Sequence, residues 1–138
     1  MKMEMMSTMM DNSMGMMEGM DMATMQEMIE ACSACEQACT MCAAGSMGMA
    51  GMEKCASMCM NTADMCNTMM RAMMRPASMD MTSMMAMMQA CMTMAKACAD
   101  ECMMHADMSE QCRMCAQACQ EVVKACESMM TSMKSMKA

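Results

Sequence analysis

The sequence predicts an all-α protein, an antiparallel up-down-up-down four-helix bundle preceded by a Met-rich, partly mobile N-terminal segment. Three observations carry this. The 14 cysteines fall into four groups whose internal gaps are always three, four or seven residues. At 100° per residue, such gaps keep each group within an arc of roughly 80° on one helix face. Apart from threonine, β-branched and aromatic residues are nearly absent: there is no Phe, Trp, Tyr or Leu, and Ile29, Val122 and Val123 are the only branched aliphatic residues. Strands therefore lack their usual material, whereas Ala, Met, Glu, Gln and Lys favour helix.

Residues 1–22 form the Met-rich lead, with runs such as Met3-Glu4-Met5-Met6 and Met14-Gly15-Met16-Met17; a short helix inside an otherwise mobile segment is expected there. Residues 23–138 form the bundle. The first core helix is expected over about Ala23–Ala44, ended by Gly45-Ser46-Met47-Gly48 and Gly51. The second runs over about Met52–Met74 and stops at Arg75-Pro76, because the residue before proline avoids the α region. Ser78 or Asp80 caps the third, about Asp80–His105, and Asp107 or Ser109 the fourth, about Ser109–Met133. Each is about 20 residues or roughly 30 Å long, and short connections make sequential neighbours antiparallel.

With 40 Met, 14 Cys and no Leu, sulfur side chains must pack the core, with Ala filling close contacts. Met is flexible and polarisable, and a free Cys behaves as a small hydrophobe. The net charge of −7 argues against a nucleic-acid partner, since phosphate binding needs a basic patch. No apolar run approaches 18 residues, so no membrane-spanning helix is expected, and Met1–Asp11 does not read as a signal peptide. The charged stretches Glu53-Lys54 and Lys134 to Lys137 read as solvated faces.

The four thiol stripes are Cys32, Cys35, Cys39 and Cys42; Cys55, Cys59 and Cys66; Cys91, Cys98 and Cys102; and Cys112, Cys115, Cys119 and Cys126. All can point into one core. Disulfides are disfavoured within a stripe: side chains four apart on a helix have Cβ atoms about 5–6 Å apart, whereas a disulfide needs about 3.8 Å. Thiolates and thioethers together select soft ions, Cu(I) foremost. Pairs such as Cys32/Cys35, Cys55/Cys59, Cys98/Cys102 and Cys115/Cys119 suit a two-coordinate ion. With bridging sulfurs the array would take on the order of one Cu(I) per cysteine, releasing protons as it fills.

Toward one end of the bundle each stripe turns from cysteine to methionine: Met25 and Met28, Met69 and Met73, Met84 and Met87, and Met130 and Met133. This end reads as a weaker thioether zone, either the mouth of the store or an additional binding zone. His105 lies three residues past Cys102, at the opposite end, as a candidate ligand or a satisfied histidine. Other readings use the same residues. A metallothionein-like zinc or general soft-metal sink would place the thiols in closed tetrahedral sites. A thiol–disulfide enzyme would use Cys112 near a helix start and leave the other thiols without a purpose. A purely structural bundle is the plainest alternative. No nucleophile–base pair, nucleotide loop or carboxylate dyad is present, so no enzyme is expected.

The segment Cys98-Ala-Asp-Glu-Cys-Met-Met-His105-Ala-Asp-Met-Ser-Glu-Gln-Cys112-Arg-Met-Cys115-Ala-Gln-Ala-Cys119 resembles the signature of the bacterial copper storage proteins, and Ile29 to Cys42 is similar to that family's first helix. The resemblance spans roughly residues 25–130. It implies a folded apo bundle, many Cu(I) ions held by inward cysteines along the axis, and a homotetramer. Copper ions, with a copper donor or acceptor protein, would be the partners. Three departures stand out: Met94 and Val122 occupy stripe positions where cysteine is usual, and methionine replaces nearly all aliphatic residues. Thioethers keep their affinity under oxidising conditions, which tilts the expected location toward an exported, periplasmic protein over a cytoplasmic one.

Overall fold

The structure, a computed structural model, describes residues 2–14, 21–76 and 80–136. Five helices are present among them: α1 (Met3–Met14), α2 (Met22–Ser46), α3 (Glu53–Met73), α4 (Met81–Met103) and α5 (Glu110–Met136). The four core helices match the sequence expectation to within a few residues at each end. The N-terminal lead holds a longer helix than expected, α1, which packs on α2 with Met6 half-buried against the core. The Gly15-Met16-Met17 part of the lead and Ser78, one of the two caps considered for α4, lie outside the described residues.

Local chemistry sets the boundaries. Asp21 caps α2: its carboxylate accepts from the Ala23 N–H at 3.0 Å and the Thr24 N–H at 3.4 Å, satisfying donors that the first turn leaves open. The α2–α3 connection turns through Gly48 (φ 76°) and Gly51 (φ 82°), left-handed conformations that glycine adopts without steric cost. Asp80 caps α4, accepting from the Ser83 N–H at 3.2 Å. Ser109 Oγ accepts from the Cys112 N–H at 3.1 Å and starts α5.

The core helices form a closed square. α2 packs against α3 and α5, and α4 packs against the same two. Direction is fixed by the cysteines. Between α2 and α5 the thiol pairs are Cys35/Cys119, Cys39/Cys115 and Cys42/Cys112; between α3 and α4 they are Cys55/Cys102 and Cys59/Cys98. Numbers rise on one helix as they fall on the other, so both pairs run antiparallel.

Candidate metal centre

All 14 cysteines are free and buried. Ten of them join in a single chain of sulfur contacts. It runs Cys42–Cys112 (3.7 Å), Cys112–Cys55 (3.9 Å), Cys55–Cys102 (3.8 Å), Cys102–Cys59 (3.7 Å), Cys59–Cys115 (3.7 Å), Cys115–Cys39 (3.5 Å), Cys39–Cys119 (3.9 Å) and Cys119–Cys35 (3.7 Å), with Cys98 attached to Cys59 at 3.8 Å. The remaining four are the cysteines next along each stripe to the methionines. Cys32, Cys66 and Cys91 converge within 4.8 Å, and Cys126 completes the buried thiol stripe of α5 at this end. Two four-thiol clusters, Cys39/Cys98/Cys115/Cys119 and Cys42/Cys59/Cys102/Cys115, share Cys115.

The thiols titrate as a set. Cys115 is held below the usual thiol range because Cys102, then Cys119, Cys39 and Cys59, donate to its sulfur. Cys102, Cys39 and Cys119 are pushed up, in each case first by their bond to Cys115. The same division separates Cys91, lowered first by Cys126, from Cys126, raised by Cys91. Burial pushes Cys42 up to about 12 and raises Cys55. Proton loss from such neighbours belongs to the cluster rather than to single sites. An empty column is thus mainly neutral, with thiolates favoured where several S–H donors converge on one sulfur.

The thioether end is packed shut. Met25, Met28, Met69 and Met73 are fully buried, Met84 is nearly so, and Met133 is fully buried. Three expected stripe residues are displaced by one position. Met88 is buried where Met87 was expected and Met129 where Met130 was expected; Met87 and Met130 are half-buried against the core. Between Cys91 and Cys98 the core position belongs to Ala95, while Met94 is half-buried on the flank. Val122 does occupy the stripe between Cys119 and Cys126, fully buried. Burial of the methionine layer favours the additional-zone role over that of a mouth.

His105 lies one turn past Cys102, its Nε2 3.0 Å from Glu101 Oε2. Glu101 is itself buried, with Lys54 at 3.8 Å. Sequence reasoning missed this carboxylate, and also Thr62, which is buried on the inner face of α3 with no partner for its hydroxyl among the described residues. The i,i+4 spacing of Glu101 and His105 was the signal available for the first.

Comparison with known proteins bears on what this sulfur column is. Residues 21–131 match the family described as Csp, copper storage protein. The chain belongs to the copper storage protein family. Its members include Streptomyces lividans Ccsp, to which several solved structures belong. Ccsp loaded with 10 copper equivalents is 37% identical over 83% of this chain and 89% of that one, with a TM-score of 0.81. A histidine variant of Ccsp matches at 37% identity and TM-score 0.81, over 83% of this chain and 98% of that one. A third structure, described as a cytosolic copper storage protein from the same organism carrying five coppers, is 38% identical over 79% of this chain and 93% of that one, with a TM-score of 0.77. A search of the curated proteins gives no match. Among the described residues no helix of this copper storage protein is long and apolar enough to cross a membrane. The cytosolic description of the Streptomyces relative gives no support to an exported location.

Proposed function

We propose that this copper storage protein holds many Cu(I) ions along the bundle axis, with the 14 cysteines as primary ligands and the methionine layer as a weaker additional zone. The observation that carries the reading is the unbroken run of sulfur contacts at 3.5–3.9 Å from Cys42 to Cys35. Each contact is short enough for one ion to sit between two thiols, and every sulfur of the run but the terminal Cys42 has a second neighbour to bridge. Deprotonation on loading lets every thiolate offset the charge of an arriving ion, so the column fills without accumulating charge. Met25, Met28, Met69, Met73, Met84, Met88, Met129 and Met133 extend it by neutral thioethers, which bind the same soft ion without releasing protons. His105, turned to Glu101, serves as a ligand just beyond the last cysteine layer.

A zinc sink finds two four-thiol clusters, but they share Cys115, so both cannot close as separate tetrahedral sites. Fourteen free buried thiols suit a reducing compartment, and we place the protein in the cytosol, as a homotetramer with storage rather than catalysis as its role. Anaerobic titration with Cu(I) against a chromophoric chelator tests the central statement. Uptake on the order of one ion per cysteine is expected; saturation at one or two ions refutes storage. Zn(II) addition to the loaded protein should leave the copper in place.

A further inference from the structure

One surface groove reaches the wall of the sulfur column. A cavity of about 250 Å³ opens between α2 and α5, and its lining includes both exposed methionines and core thiols. Met41 and Met114 stand at its rim, 64% and 56% exposed. Cys42 and Cys115 form part of its wall, 1% and 0% exposed. Each methionine immediately precedes one of these cysteines in sequence, and antiparallel pairing of α2 with α5 brings the two Met-Cys pairs together. Ala34 and Ala38 leave the groove open, since neither has a side chain long enough to fill it. Cys42 and Cys115 are in turn members of one four-thiol cluster with Cys59 and Cys102, all within 4.8 Å.

The order of donors from solvent inward is therefore neutral thioether, then thiol, then a four-sulfur cluster. We propose that this groove is a lateral port for Cu(I), with Met41 and Met114 as its outer ligands and Cys115 and Cys42 as its inner ones. The proposal rests on the storage reading above. Two thioethers hold a soft cation weakly enough to exchange it. Cys115, in the wall of the groove, displaces one thioether and gives its proton to solvent. Cys42 displaces the other and gives its proton to solvent. No electron is transferred, and copper enters and leaves as Cu(I). Ions so admitted reach the Cys59/Cys102 layer by exchange between sulfurs already in contact.

The test compares the parent chain with the double variant Met41→Ile, Met114→Ile and with Met60→Ile, which removes a thioether 44% exposed on α3 outside the groove. Cu(I) is supplied anaerobically as its bicinchoninate complex and loading is followed by stopped flow. The double variant is expected to load roughly tenfold more slowly, the effect of raising one barrier by about 1.4 kcal/mol, while reaching the parent's capacity; Met60→Ile should load like the parent. Identical loading curves for all three overturn the port. A parent capacity of one or two ions overturns storage itself, a separate failure. Methyl-labelled parent protein gives a measurement independent of any variant: at well below one equivalent of Ag(I), the Met41 and Met114 methyl signals should shift first. First shifts at other methionines overturn the port as well.

Discussion

Replacing Val122 with cysteine should raise the copper capacity by about one ion at little cost to the fold. Val122 is fully buried between Cys119 and Cys126. Extending the α2/α5 pairs Cys35/Cys119 and Cys39/Cys115 by one step sets Cys32 across from it. Extending the α4/α5 pairs Cys98/Cys119 and Cys102/Cys115 sets Ala95 there too. At this level three of the four helices offer no sulfur: Thr62 stands between Cys59 and Cys66 on α3 as Ala95 and Val122 stand on α4 and α5, and only Cys32 of α2 supplies a thiol. Val122→Cys exchanges two methyl groups for one sulfur, a loss comparable to Ile→Val, so about 0.5–1.5 kcal/mol. For a chain of 138 residues that lowers the apo melting temperature by roughly 2–6 °C. The added thiolate supplies one more bridging ligand beside Cys32. Parallel anaerobic titrations of parent and variant, with intact-mass counting of bound ions, read the difference directly. A folded variant with unchanged capacity would show that the level of Val122 is not on the copper path, and would refute the assignment of ions to a continuous column.

Met28→Ala, at a fully buried position, should destabilise the apo protein by about 2–5 kcal/mol in anaerobic thermal unfolding, whereas Met28→Ile should cost less and still remove the thioether from the weak zone. Apo stability should fall at alkaline pH: burial raises Cys42 from 9.0 to about 12, so its contribution is complete below about 9 and is lost as pH rises through about 12, visible as a declining chemical-unfolding midpoint that copper loading abolishes. Asp80→Ala removes the acceptor for the Ser83 N–H and should cost about 1 kcal/mol, with copper capacity unchanged in the chelator titration.

Much of this architecture is written in short-range spacing. The cysteine gaps of three, four and seven specify four inward faces, and Pro76 and the Gly48–Gly51 turn mark two of the connections, so the bundle and all 14 inward thiols are legible in the sequence alone. What spacing leaves open is the choice between neighbours at three and four. From Cys91, Met87 lies four residues back and Met88 three, so the two fall on opposite sides of the stripe centre by similar angles. Only the packing of α3 and α5 against α4 decides for Met88, and likewise for Ala95 over Met94 and Met129 over Met130. Helix α1 is hard to foresee for a different reason. Met and Ser-Thr alternate in it without a stripe of one chemistry, and its seat on α2 is a tertiary contact. The groove beside Met41 and Met114 likewise depends on how α2 meets α5, which no single-helix pattern contains.

The buried methionine layer gives the store a blind end. Cys32, Cys66, Cys91 and Cys126 lie against it, while Cys42 and Cys112 lie at the other extreme of the sulfur run. Were copper to pass through the groove proposed above, the sites beside the blind end would fill and empty only through the thiols between. Such a vessel would hold a reserve at its closed end, behind the copper nearest the groove.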